Sequence, residues 1–123
     1  MFFSDIGFDS YEDYRNGVWW KRLVYTLITG NKKARCFICD RNYSLLVHHI
    51  DYSNLGREKL NRDVFVVCWN CHRRCHFFLF IFKIPLRRKN LIRRVYFLKF
   101  KSCIWRRKPF LALWYLLKSV LLV

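Results

Sequence analysis

Apolar residues in the first quarter of the chain recur at helical spacing: Tyr11, Tyr14 and Val18, then Trp19, Trp20, Leu23, Val24 and Leu27. That period predicts a helix over residues 10–29. Ser10-x-x-Asp13 offers an acidic capping box at its start and Gly30 a stop at its end. Gly17, inside the run, costs about 1 kcal/mol relative to alanine. Two short apolar runs follow, Leu45-Leu46-Val47-His48-His49 and Val64-Phe65-Val66-Val67, each of strand length. Between them, residues 50–61 hold Asp51, Ser53, Asn54, Gly56 and Asn61, the side chains of turns and loops. Residues 69–82 read as a helix that Pro85 ends. The order strand, loop, strand, helix predicts a small α+β domain.

The last third alternates apolar and basic blocks: Leu86-Arg87-Arg88-Lys89, Leu91-Ile92-Arg93-Arg94 and Trp105-Arg106-Arg107-Lys108. Phe110–Val123 then runs with Lys118 as its single charge. As a helix that run spans about 21 Å, short of a bilayer core of about 30 Å, so stable membrane insertion is not expected. Its apolar face can pack on the domain or on a second copy of the chain, which makes a homodimer one candidate assembly. It can also lie along DNA or a membrane surface. The chain therefore divides into residues 1–83, a domain with an N-terminal helix, and residues 84–123, a basic and apolar helical extension.

With 123 residues the chain is expected to form one domain with a small core. Its net charge of +16 is one-sided. Residues 1–76 carry 12 Lys/Arg and all eight acids, net +4, whereas residues 77–123 carry 12 Lys/Arg and no acid, net +12. A polyanion is the natural partner, and residues 84–123 are expected to raise affinity for DNA without regard to sequence.

Six cysteines change the picture further. Four form the pairs Cys36-x-x-Cys39 and Cys68-x-x-Cys71. A two-residue gap lets both thiolates of a pair reach one tetrahedral zinc at about 2.3 Å, and a structural Zn²⁺ would add folding free energy to a small core. The opening Met1-Phe2-Phe3-Ser4-Asp5 has no basic n-region or long apolar run. Metal ligation in a reducing, cytoplasmic compartment is therefore expected over a disulfide framework. Cys75 and Cys103 fall outside the pairs and are assigned to packing.

All four histidines, His48, His49, His72 and His76, are threaded through the same region. On a strand His48 and His49 point to opposite faces, so they should not do the same job. One can face a metal while the other faces a substrate water. His72 and His76 stand at i and i+4 on one helix face, a spacing that serves a shared ion. A set of two or three histidine ligands leaves open coordination positions, as a centre for phosphate chemistry requires. Lys32, Lys33, Arg35, Arg57, Arg73 and Arg74 can grip a nucleic-acid backbone.

Val47-His48-His49-Ile50-x-Tyr52, Asn54-Leu55-Gly56-x-Glu58, Asp63-Val64 and Cys68-x-x-Cys71-His72-x-x-x-His76 together resemble the HNH endonuclease family. The subgroup is the one that carries a four-cysteine zinc around its ββα-metal (His-Me) finger, and Tyr11-x-x-Tyr14 with Trp20 is similar to the helix preceding the finger in many members. The resemblance covers about residues 10–80. It implies an α+β fold, a small ββα-metal finger with flanking helices. It implies metal-dependent hydrolysis of DNA phosphodiester bonds. His49 would be the general base, and His48, His72 and His76 the ligands of a catalytic divalent ion (Mg²⁺, Mn²⁺, Ni²⁺ or Zn²⁺). Asp63 stands where the family has its central Asn, and would accept hydrogen bonds that fix the loop and orient the base. Two other readings are weighed beside it. One is a catalytically inactive, zinc-stabilised nucleic-acid-binding module. The other is a membrane-associated or partner-binding protein whose tail carries the function.

Overall fold

Ser10 caps the first helix as its sequence predicts, its Oγ accepting the Asp13 N–H at 3.1 Å. The computed structural model describes residues 10–83 and 88–121. Its elements are α1 (Tyr11–Asn16), α2 (Val18–Val24), β1 (Leu45–His49), β2 (Val64–Cys68), α3 (Trp69–Ile81), α4 (Arg88–Trp105) and α5 (Pro109–Leu121). The helix expected over residues 10–29 is not continuous. Gly17 adopts an extended backbone (φ −71°, ψ 159°), ending α1 and opening α2. Glycine's high backbone entropy makes it the cheapest place to break the run. After α2 the chain makes a π-helical turn, Tyr25–Thr29, which stops at Gly30 as expected. Pro85, the Leu86-Arg87 block and the N-terminal five residues read for a targeting signal lie outside the described residues, as do residues 122–123.

The fold is α+β. β1 and β2 pair antiparallel, with Leu45 opposite Cys68, His48 opposite Phe65 and His49 opposite Val64. Alternation gives this hairpin two distinct faces. Val47 and His49 share a face with Val64 and Val66; Leu46 and His48 share the other with Phe65 and Val67. Both faces are covered, which is why β2 is buried at every position and reads as an unbroken apolar run. On the first face Val47 and Val64 join Tyr14, Trp20 and Leu55 in a small cluster completed by Leu23, Val24 and Leu27. On the second, Phe65 and Val67 join the main core of Cys36, Ile38, Ile50, Cys75 and Leu79.

The C-terminal segment enters that same core. α4 contributes Leu91, Ile92, Val95, Tyr96 and Leu98, all buried. It also reaches the first cysteine pair. The Arg106 guanidinium donates to the Asp40 carboxylate and to the Cys39 carbonyl, and Lys99 Nζ lies 3.5 Å from Asp40 Oδ1. Lys99 is itself buried over the rings of Phe37 and Tyr115. Part of the basic charge of residues 84–123 is thus used internally. Arg93, Lys101, Arg107 and Lys108 remain exposed. Among the described residues no helix is long and apolar enough to cross a membrane.

Candidate functional site

Cys36 and Cys39 sit on a tight turn alongside β2, held there by the Phe37 N–H to Val66 O bond at 2.8 Å. Cys68 ends β2 and Cys71 lies in the first turn of α3. The four sulfurs lie within 4.8 Å of one another, with Cys39 Sγ 3.7 Å from Cys68 Sγ. Four thiolates around one tetrahedral zinc at about 2.3 Å would stand about 3.8 Å apart, so the donor set fits a structural metal such as zinc. A hydrogen bond from the Cys71 thiol, aided against burial by N–H groups of Cys39, Cys68 and Ile38, lowers the Cys36 thiol to about 4. The same bond, with burial, pushes Cys71 up. Cys75 and Cys103 are buried but are not among the four converging sulfurs, and burial raises the Cys75 thiol to about 12. Both belong to the packing, as their positions outside the pairs suggested.

His48 leaves the opposite side of β1 from His49 and meets α3. Its ring lies 4.7 Å, centroid to centroid, from both His72 and His76, which are 4.7 Å from each other. One ring nitrogen from each converges within 4.8 Å of the others. His48 is 4% exposed, yet neither of its ring nitrogens has a hydrogen-bond partner. A buried imidazole without a partner is costly unless a further ligand completes it. Burial, with the neighbouring His72 and His76, lowers the His48 pKa to about 3, and burial lowers His72 and His76 as well. All three are therefore neutral at physiological pH, the state in which imidazole ligates metal.

His49 occupies a different environment. Its ring is sandwiched between Trp20 (4.6 Å, 21°) and Tyr52 (5.1 Å, 22°). Nε2 lies 3.1 Å from Glu58 Oε1, and Nδ1 lies 2.8 Å from the Tyr11 hydroxyl. Glu58 also accepts from the Tyr14 hydroxyl and, at 2.7 Å, from Trp19 Nε1. Burial would raise this carboxyl, but the bonds from His49, Tyr14 and Trp19 outweigh it and hold Glu58 at about 2. An ionised Glu58 can only accept, so in the neutral imidazole the proton sits on Nε2 and Nδ1 carries the lone pair. The Tyr11 hydroxyl donates to that lone pair.

Asp63, fully buried, pins the loop between the strands. Its carboxylate accepts from Lys59 N (2.9 Å) and Asn54 Nδ2 (3.2 Å), and its carbonyl from Ile50 N (2.8 Å) and Asp51 N (3.2 Å). The contacts that orient the His49 ring come from Glu58 and Tyr11. The sequence alone gives neither residue this role, although Glu58 stands in the Gly56-x-Glu58 signature and Tyr11 shares a helical face with Tyr14. Of the six basic residues expected to grip a backbone, Arg73 and Arg74 lie on α3 beside the histidine cluster, and all six are exposed. Comparison with protein-family models, with curated proteins and with solved structures finds no match to this chain.

Proposed function

We propose that this protein is a metal-dependent endonuclease of the HNH type that hydrolyses DNA phosphodiester bonds, with its hairpin and α3 forming the ββα-metal finger. The observation that carries the reading is the convergence of His48, His72 and His76 beside a separately oriented His49. A divalent ion held by the three histidines would stabilise charge on the phosphate and on the leaving 3′ oxygen. His49 acts as the base. Glu58 fixes the proton on Nε2, so leaving the lone pair on Nδ1, and stabilises the imidazolium formed when Nδ1 takes a proton from water. Tyr52 and Trp20 hold the ring plane. Asp63 holds the loop that carries Glu58. In the described arrangement the Tyr11 hydroxyl stands at Nδ1, so the attacking water must enter in its place. The finger's exposed Arg and Lys residues supply backbone contacts.

A second reading is a zinc-stabilised nucleic-acid-binding module without catalysis. The engagement of both His49 nitrogens, in a residue only 3% exposed, favours it. Plasmid cleavage by purified protein across Mg²⁺, Mn²⁺, Ni²⁺ and Zn²⁺ separates the two. Cleavage that His49→Ala abolishes supports the nuclease; binding with no cleavage in any metal supports the module.

A further inference from the structure

α3 presents to solvent an unusual series of side chains. Trp69, Arg73 and Phe77 follow one another at four-residue spacing, one row on the helix surface. His72, His76 and Phe80 form the adjacent row, and Lys83 lies just beyond the helix. These residues line an open groove of about 1080 Å³, so two of the three clustered histidines, His72 and His76, stand in its wall. Trp69, Phe77 and Phe80 are 54%, 64% and 81% exposed, so their rings are not core residues. The Trp69 ring stacks on His72 (5.7 Å, 26°), continuing the aromatic surface up to the cluster. No acid lies anywhere in α3, α4 or α5.

We propose that this groove binds single-stranded nucleic acid, and that the substrate of the site is an unpaired strand rather than intact duplex. The substrate class rests on the nuclease reading; the binding does not. Cations alone account for affinity to a duplex, whose bases already stack on each other and offer no free faces. Cations alternating with exposed rings suit a strand whose bases are unstacked: phosphates meet Arg73 and Lys83 while bases lie on Trp69, Phe77 and Phe80. The distance from Trp69 to Phe80 along the helix is about 16 Å, enough for the three rings to take separate bases of one strand. Such a strand passes the histidine cluster, which brings a backbone phosphate to His72 and His76. The charge decides against an apolar partner for the groove, because Arg73 and Lys83 would be desolvated without a counter-charge.

The test uses the full-length protein and fluorescein-labelled oligothymidylate, oligouridylate and a mixed-sequence blunt duplex, with binding read by anisotropy without added divalent metal. Single strands are expected to bind more tightly than duplex. Phe77→Ala and Phe80→Ala, both at exposed positions that leave the core intact, are each expected to weaken single-strand binding about 5- to 150-fold, the factor one base–ring stack is worth. Duplex binding should change less than about twofold. The two oligonucleotides decide whether the preferred strand is DNA or RNA. Equal losses on duplex and single strand, or no loss on either, overturn the proposal. So does concentration-dependent self-association that Phe80→Ala abolishes, since the face then belongs to a second copy. A cleavage arm with added metal compares gapped or flapped DNA with intact duplex. If single-strand binding behaves as expected and nothing is cut, the groove stands and the nuclease reading falls. If intact duplex is cut fastest and the phenylalanine variants are neutral, the nuclease stands and the groove falls.

Discussion

His49 Nε2 lies 3.1 Å from Oε1 of Glu58, nine residues further along the chain, and the side chains of both are buried. The pair couples the end of β1 to the loop that follows it. A carboxylate in that place does for an imidazole what no neutral group can do: it fixes the tautomer and stabilises the ring when protonated. His49→Ala is expected to lower the rate of phosphodiester cleavage by about 10²- to 10⁴-fold. Glu58→Gln should lower it by at least about tenfold, with DNA affinity and metal content unchanged. The double variant should be no slower than His49→Ala alone, because the two residues act as a unit. Single-turnover rates decide it, and independent, multiplying losses would separate Glu58 from the base.

The same carboxylate makes a prediction about acid. Glu58 is held at about 2 against an ordinary value of 4.5, so the unfolded chain binds a proton at higher pH than the folded one. Its contribution to stability is complete above about pH 4.5 and is lost as pH falls toward about 2. The difference in melting temperature between wild type and Glu58→Gln should therefore be constant from neutral pH down to about 5, then shrink steadily below it. A difference that stays constant across that range would mean the carboxylate is not the stabilising species.

The opposite orientation of the adjacent histidines follows from strand geometry alone, which is why it was legible in the sequence. His48 and His49 do point to opposite faces, and His72 with His76 completes the first one's surroundings. The cysteine pairs were equally legible, because a two-residue gap is a local constraint. Glu58 was not. Its role depends on how the loop over residues 50–63 folds back, and that fold is set by Asp63 accepting the Lys59 and Asn54 groups and by the left-handed backbone of Gly56 (φ +83°) and Asn61 (φ +63°). Periodicity says nothing of such contacts. Gly17 is a different case: its cost to a helix was visible, but whether the chain would bear that cost or break there depended on how α1 and α2 pack around His49.

The two candidate metal groups should respond differently to mutation. The four-cysteine group lies in the main core beside Ile38 and Phe65, so its ligands are coupled to folding. Cys39→Ser is expected to give protein without a cooperative melt and with little bound zinc. His72→Ala, at a half-buried position on α3, should stay folded with one zinc per chain and lose only the more weakly held ion. Elemental analysis and circular dichroism of the two variants check this. Zinc-free protein that folds cooperatively would remove the structural role of the cysteines.

The extension from residue 84 carries both charge and core, and these can be separated. Leu91 is 3% exposed and packs with Cys75, Leu79 and Val95 in the main core. Leu91→Ala should cost about 2–5 kcal/mol in urea unfolding while leaving the salt dependence of DNA binding unchanged. Arg107→Ala with Lys108→Ala removes two exposed cations and should do the reverse. Stability should hold to within about 0.5 kcal/mol. If both cations contact phosphate, the slope of log K against log salt should flatten by about 1.8, twice the usual 0.9 per phosphate. Truncation after residue 83 strips α4 from the core and Arg106 from Asp40, so it should abolish the cooperative transition rather than merely weaken binding. A truncated chain that melts like the whole protein, with only a flatter salt slope, would make the extension a DNA-binding appendage on a self-sufficient finger.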